Sequence, residues 1–212
     1  MRKLPIVLCW IVLVAAGVGY IVTHLPRERD ESTLFVRDAQ AWPVCSTGCG
    51  RERWLPKTLA DPARSAVDFT RVVDVTVAQL VALDPRATTV VGGWRWAPIE
   101  TTVYRVDAML VALFGESDHD FHLVLADPDH PEVTMIAEIP DPDCATACTS
   151  GFASYYSRAR RVLMDQTDNG ALSRLRPRVR VTGVGFIDHA HGQRGAARNE
   201  VELHPVLAIE FP

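Results

Sequence analysis

Histidines and carboxylates concentrate in two short stretches of the C-terminal half of this 212-residue chain. In a strand, side chains two residues apart share a face, which places Asp120 with His122 and Glu202 with His204. Imidazole nitrogen and carboxylate oxygen are common ligands of divalent metal ions. Residues of these types at this spacing therefore indicate a polar or metal-binding site.

If the protein has a small-ligand or metal site, we predict that it lies where these two stretches meet. The predicted site comprises Asp118, Asp120, His122, His191, Gln193, Asn199, Glu202 and His204. The candidate metal ligands among them are His122, His191, Glu202 and His204. The alternative is that these side chains only hydrogen-bond strand ends and hold a long loop in shape. No cofactor is expected other than a divalent metal.

Five strands and one helix are predicted to position these residues. Apolar patterns predict strands at residues 102–113, 121–126, 133–139, 179–187 and 201–209. An apolar stripe at helical spacing predicts a helix over residues 149–165, between the third and fourth strands. This order is that of an OB-fold, a five-stranded Greek-key barrel. The sequence thus predicts a mainly β, α+β protein containing an OB-fold-like barrel.

In an OB-fold, the loop between strands one and two and the loop between strands four and five flank one binding face. Here those loops are residues 116–120 and residues 188–200, which contain most of the predicted site. Gly183 and Gly185 predict a bulge or sharp bend in the fourth strand, and Pro205 predicts an edge or a bulge in the fifth.

The N-terminus contains a run of nineteen residues without a charge, residues 4–22, preceded by Arg2 and Lys3. About twenty apolar residues suffice to cross a bilayer, and the positive end predicts that the N-terminus stays inside. We therefore predict a membrane helix within residues 1–24. Small residues inside the run also allow a cleaved signal peptide.

Three further segments follow the predicted membrane helix. Residues 25–41 carry mixed charges and are predicted to be a linker. Residues 42–99 are predicted to be an irregular, disulfide-stapled segment with one short helix capped by Thr76. Residues 100–212 form the predicted barrel domain.

Four cysteines lie beyond the apolar run, in two pairs with three residues between the partners. They are Cys45 with Cys49 and Cys144 with Cys148. An even number of cysteines outside the cytoplasm favours disulfide bonds. Zinc ligation stays open as the alternative, although the most specific zinc motifs place two residues between the cysteines.

Several stretches resemble an uncharacterised family of exported bacterial proteins. They include CGRERW at 49–54, ESDHDFHLV at 116–124, TMIAEIPDPDC at 134–144, HGQ at 191–193 and ELHPV at 202–206. The resemblance implies export and a shared domain, and it brings no activity or cofactor with it. Because it includes Cys49 and Cys144, it implies a Cys49–Cys144 disulfide and leaves Cys45–Cys148 as a second bridge.

Charge and motifs narrow the classes of function. The chain has 26 acidic and 22 basic residues, which argues against nucleic-acid binding. It contains no Gly-x-Ser-x-Gly nucleophile motif and no phosphate-binding loop.

We therefore expect a non-catalytic binding module in an exported or membrane-anchored envelope protein. Its expected partners are the membrane, through the N-terminal helix, and an envelope ligand or protein of unknown identity. A metal-assisted hydrolase using the His/carboxylate cluster at the barrel mouth is the alternative function. Secretion is the alternative location.

Overall fold

The computed structural model describes Cys45, Cys49, Gly50 and residues 52–168, 176–190 and 192–212. These residues belong to one compact unit, Pro43–Pro212. The predicted membrane segment 1–24 and the predicted linker 25–41 lie outside the described residues. In the part that is described, no helix combines the length and the apolar character needed to span a bilayer.

Three α-helices and eight strands make up the regular structure of the described residues. The helices are α1 (Trp54–Lys57), α2 (Val77–Val81) and α3 (Ala153–Asp168). The strands are β1 (Asp68–Val75), β2 (Thr89–Val91), β3 (Arg95–Ala97), β4 (Thr102–Gly115), β5 (Phe121–Ala126), β6 (Thr134–Ile139), β7 (Arg178–Ile187) and β8 (Val201–Glu210). Short 3-10 helices cover Pro62–Ala66, Pro85–Ala87 and Ile99–Thr101.

Strands β4 to β8 close into a barrel. They follow the order β4-β5-β6-β8-β7, and β7 pairs back onto β4. All of these pairs are antiparallel except β6 with β8, which are parallel. Helix α3 lies between β6 and β7 in the chain. The prediction of a mainly β protein with a five-stranded barrel and one helix before the fourth strand is confirmed at this level.

The fifth barrel strand, β8, has a bulge and no free edge. It lies between β6 and β7, and its register with β7 shifts on both sides of Gly183. A Cβ atom added at Gly183 would lie 2.9 Å from the carbonyl oxygen of Pro205, so only glycine allows this close approach. Of the two structures that Pro205 predicted, the bulge is therefore the one that forms.

The two faces of the barrel strands differ in chemistry. Leu123 of β5, Ala137 of β6 and Leu203 of β8 join a large apolar core, into which α3 packs Tyr156 and Leu163. Because strand side chains alternate between faces, the neighbouring positions on β5, β6 and β8 point away from this core. Those neighbouring positions hold the histidines and carboxylates.

Residues 42–99 contain more regular structure than the sequence predicted. Strand β1 pairs in parallel with the first half of β4, and β2 pairs with β3 in a hairpin. Strand β1 is mostly exposed, so its sequence lacks the alternation of a half-buried strand. Strands β2 and β3 have three residues each, which is too short to show a period.

Two disulfide bonds connect the chain just before α1 to the chain between β6 and α3. They join Cys45 to Cys148 and Cys49 to Cys144, the pairs that the family resemblance implied. Their sequence separations are 103 and 95 residues, so each closes a long loop. Both bridges therefore restrict the unfolded chain more than a short-range bridge would.

A buried arginine, Arg95 on β3, connects the β2–β3 hairpin to α1 and to the residues that follow it. The Arg95 side chain is completely buried and donates hydrogen bonds to both carboxylate oxygens of Asp61. It also donates to the carbonyl oxygens of Glu100 and Pro56, each at 3.1 Å. Every hydrogen-bonding edge of the guanidinium therefore meets an acceptor, as a buried charge requires.

Helix α2 begins with a capping box, as the sequence predicted for Thr76. The Thr76 hydroxyl accepts a hydrogen bond from the Gln79 amide, and the Gln79 side chain accepts one from the Thr76 amide. We expect Thr76→Ala to lower the free energy of unfolding by about 1 kcal/mol, because it removes this cap. Urea unfolding measures the change. Thr76→Ser keeps the hydroxyl and is the control, so an equal loss in both variants would rule out the cap as the cause.

Candidate functional site

Three adjacent strands bring His122, Glu138 and His204 into one row. His122 on β5 pairs directly with Glu138 on β6. Strand β6 pairs with β8 at Ala137 and Leu203, which places His204 beside Glu138. The three side chains are buried, and they lie on the face opposite the apolar core. Strand register alone therefore assembles this row.

The Glu138 carboxylate bridges the two histidines. Its Oε1 lies 3.0 Å from His122 Nδ1, and its Oε2 lies 3.0 Å from His204 Nδ1. Asp120 and Glu202 complete the group, which we call the buried network: Asp120, His122, Glu138, Glu202 and His204. All five side chains are almost entirely shielded from solvent.

His122 is an imidazolium in this arrangement. Its Nε2 lies 3.2 Å from the carbonyl oxygen of Arg194, which can only accept, so Nε2 carries a proton. Its Nδ1 faces the Glu138 carboxylate and therefore also donates. Burial lowers the pKa of His122, but these hydrogen bonds outweigh burial and raise it above its ordinary value. With both nitrogens donating, His122 has no lone pair left for a metal ion.

His204 is surrounded by three carboxylates. Nδ1 lies 3.0 Å from Glu138 and 3.2 Å from Glu202, while Nε2 lies 3.3 Å from Asp120 Oδ2. Burial lowers the pKa of His204, but the hydrogen bonds and charges of these carboxylates outweigh it. The pKa of His204 is therefore raised well above its ordinary value of 6.5.

The three carboxylates of the buried network differ in their acidity. Burial raises the pKa of Glu202 to about 7, and the negative charge of Glu138 adds to this effect. Burial also raises the pKa of Asp120, against the opposing effect of His204. For Glu138 the hydrogen bonds from His122 and His204 outweigh burial, so its pKa is lowered. Glu138 is thus the permanent negative charge between the two histidines.

Helix α1 adds a lysine at the edge of the buried network. Lys57 lies 3.4 Å from Asp188 and packs over the ring of Phe186. Burial lowers the pKa of Lys57, but Glu202, Asp188 and Glu138 raise it more. Lys57 therefore remains charged and partly neutralises the surrounding carboxylates.

A cleft of about 440 Å³ opens beside the buried network. Its lining residues are Cys49, Gly50, Glu52, Trp54, Lys57, Glu116, Ser117, Asp118, Glu138 and Gln193. The Trp54 ring packs so closely on Gly50 that a Cβ atom there would lie 2.6 Å from it. The Trp54 indole NH is held by the carbonyl oxygen of Ala145. This wall of the cleft is therefore fixed.

The cleft and the buried network share residues. Glu138 belongs to both, and Glu116 on the cleft wall lies 3.4 Å from His122 Nδ1. Four carboxylates and one lysine line the cleft, so its charge is predominantly negative. A ligand in the cleft would therefore sense the charge of the network.

The structure brings together most of the residues that the sequence nominated as a site. Asp120, His122, Glu202 and His204 belong to the buried network. Asp118 and Gln193 line the cleft. Asn199 lies elsewhere, because its amide donates to the carbonyl oxygens of Leu80 and Leu83 at the end of α2. His191 lies outside the described residues.

Sequence reasoning missed Glu138 and Lys57. A signal for Glu138 was present: the turn between β5 and β6 is centred on His130, and residues equally distant from His130 pair across the hairpin. His122 and Glu138 are such a pair. Lys57 had no comparable signal, because a four-residue helix shows no clear period.

Comparison with known proteins adds little to this geometry. No protein-family model matches the chain, and no curated protein matches it. Among solved structures, it is similar to a Leishmania major Friedlin protein assigned as an aspartyl-tRNA synthetase, with 9% identity and a TM-score of 0.35. The match covers 84% of this chain and 25% of the other, so this chain spans about a quarter of that protein. A likeness this weak supports no conclusion about function.

Proposed function

We propose that this protein is a non-catalytic binding module that holds a small, positively charged polar ligand in the cleft. The observation that carries the proposal is the cleft lining, in which carboxylates outnumber the single lysine four to one. A charged or amide-rich ligand can exchange its water for these acceptors. A hydrogen bond to a charged group contributes about 1.5–3 kcal/mol.

Two of the four carboxylates are the best anchors for a ligand. Glu138 is committed to the two histidines, and Glu52 lies 3.3 Å from His189. Glu116 is about a third exposed, and its Oε1 lies 3.4 Å from His122 Nδ1, which already donates its proton to Glu138. Asp118 lies beside it on the cleft wall. A primary amine or guanidinium group can donate hydrogen bonds to both carboxylates, and its positive charge is opposite to theirs.

The binding experiment uses putrescine, a small dication, and succinate, a dianion of similar length, as matched probes. Titration calorimetry on the full-length oxidised protein should show binding of putrescine and none of succinate. Glu116→Gln and Asp118→Asn should each weaken putrescine binding about tenfold, because each removes one charge-assisted hydrogen bond. Glu132→Gln, an exposed position outside the cleft, is the control and should leave binding unchanged. Binding of both probes alike, or of putrescine equally to all variants, would contradict the proposal.

The finer fold assignment is part of this proposal. We infer an OB-fold-like barrel because its strand order and the helix before its fourth strand follow that pattern. In such folds, ligands bind on the face of strands two and three, which here are β5 and β6. His122 and Glu138 of the buried network lie on these two strands, and the cleft opens beside them.

Location in the envelope is also proposed. The two disulfides are typical of an oxidising compartment outside the cytoplasm, consistent with secretion. The uncharged run at residues 4–22 supports export and favours an anchor that keeps the domain at the membrane. The acidic composition supports a small cation or an envelope protein, and not nucleic acid, as the partner.

A metal-assisted hydrolase is the second candidate function. It is supported by donor atoms of Asp120, Glu138 and His204 that lie within 4.8 Å of one another. A hydrolytic metal needs an open coordination position that the substrate can reach. Asp120 and His204 are fully buried, so this geometry favours the binding module.

A further inference from the structure

The outer face of the β2–β3 hairpin carries two tryptophans. Arg95 is completely buried on the inner face, so its neighbours Trp94 and Trp96 lie on the opposite face. Val90 pairs directly with Trp96 across the hairpin and is 59% exposed. The Trp94 side chain is 38% exposed. The hairpin therefore presents an apolar, aromatic surface to solvent.

A cavity of about 460 Å³ opens on this outer face. Its lining includes Val90, Trp94, Trp96, Arg53 and His189, and it shares no lining residue with the acidic cleft. Small-ligand sites in proteins usually measure about 300–1,000 Å³ and combine aromatic side chains with a few polar groups. The size and the lining of this cavity therefore suit a small ligand.

The two tryptophans stand on a fixed backbone. The Trp94 carbonyl oxygen accepts a hydrogen bond of 2.9 Å from Arg53, and the Trp94 N–H donates to the carbonyl oxygen of Val91. The Trp96 N–H donates to the Glu100 carboxylate at 2.9 Å. The Arg53 guanidinium also covers one face of the Trp96 ring, 3.7 Å from its centroid. A ligand would therefore have little backbone to order when it binds, which lowers the cost of binding.

The charges at this cavity are already balanced. Both ionisable side chains that line it, Arg53 and His189, face a carboxylate. Arg53 donates two hydrogen bonds of 2.7 Å to Glu100, and His189 Nε2 lies 3.3 Å from Glu52. A charged ligand would have to compete with these carboxylates or with their partners. The cavity therefore favours a neutral ligand, in contrast to the acidic cleft.

We propose that this cavity binds a neutral sugar ring of an oligosaccharide, with Trp94 as the stacking surface. A pyranose ring has an apolar C–H face, which packs on an aromatic ring, and a rim of hydroxyl groups. The exposed His189 imidazole and the Trp94 indole N–H can hydrogen-bond those hydroxyls. A nucleobase could stack on the same ring, but its phosphate would meet a guanidinium that Glu100 already neutralises. This site lies apart from the acidic cleft and does not depend on the proposed function.

Titration calorimetry on the full-length oxidised protein tests the site. The probes are cellotetraose and chitotetraose, two neutral β-linked oligosaccharides, and sorbitol, which has the hydroxyls without the ring. At least one oligosaccharide should bind, and sorbitol should not. Trp94→Ala should weaken that binding about tenfold, because it removes the stacking surface, whereas Trp94→Phe keeps a ring and should weaken it less. Circular dichroism identifies any variant that fails to fold.

Control variants separate this site from other sources of binding. Tyr155→Ala removes an exposed aromatic ring on α3, outside the cavity, and should leave the affinity for oligosaccharide unchanged. Glu116→Gln alters the acidic cleft and should also leave it unchanged, so the sugar site and the proposed function fail independently. Failure of both oligosaccharides to bind, or equal affinity in the wild type and in folded Trp94→Ala, would overturn the proposal. Preference for an oligothymidylate over both oligosaccharides would overturn it as well, because the ring would then serve to stack bases.

Discussion

Arg95→Leu should lower the free energy of unfolding by about 3–5 kcal/mol, because it leaves the Asp61 carboxylate buried without its counterion. The two side chains are completely buried, and the guanidinium also satisfies the carbonyl oxygens of Pro56 and Glu100. Loss of these four hydrogen bonds releases the segment that carries α1 from the hairpin that holds it. Urea unfolding followed by circular dichroism measures the change.

A double variant distinguishes an unpaired charge from a simple loss of packing. Arg95→Leu with Asp61→Leu removes both charges, and an apolar pair of this kind is often tolerated. We therefore expect the double variant to be more stable than Arg95→Leu alone. Arg86→Leu, which breaks an exposed pair with Asp84, is the surface control and should cause no measurable change. Additive losses in the double variant would show that the charge pairing is not the cause.

The barrel strands were predictable from sequence because their burial is strongly one-sided or complete. The strand predicted at residues 121–126 forms as β5 with the same first and last residues. The helix was predicted at residues 149–165 and forms over Ala153–Asp168, so it begins four residues and ends three residues later than predicted. The prediction succeeded where a hydrophobic period spans several residues.

Strand β1 was not predicted, because it has no hydrophobic period. It lies at the sheet edge, and its residues 68–72 are exposed, so neither of its faces has a consistent apolar pattern. Its position depends on backbone pairing with β4, which no local pattern encodes. The β2–β3 hairpin was not predicted for a different reason: its strands are too short to show a hydrophobic period.

The candidate site was partly predictable because alternation along one strand is a local property. Asp120 with His122, and Glu202 with His204, could each be paired within one strand. Glu138 required the register between two strands, which depends on the centre of the turn. The burial of the group could not be foreseen, because it depends on residues far away in the chain, including Lys57 on α1.

Glu138 has the largest electrostatic role in the buried network, and this role has a pH signature in the metal-free protein. Its folded pKa is lowered, so its contribution to stability is present above its unfolded value of 4.5 and is lost as the pH falls through the folded pKa. The folded pKa values of His122 and His204 are raised. Their contribution is therefore complete below the unfolded value of 6.5 and is lost as the pH rises through the folded values.

Glu138→Gln should therefore destabilise the protein most between pH 4.5 and 6.5, where the carboxylate and both imidazolium groups are charged. In that window we expect a loss of about 3–5 kcal/mol, because two buried cations lose their shared counterion. The loss should shrink at higher pH, as the histidines release their protons, and at lower pH, as Glu138 of the wild type is protonated. Urea unfolding from pH 2 to 9 with EDTA present measures the profile, and Glu132→Gln, an exposed acid paired with His130, is the control. A loss that is independent of pH would mean that Glu138 acts through packing, and the charge-bridging role would then be wrong.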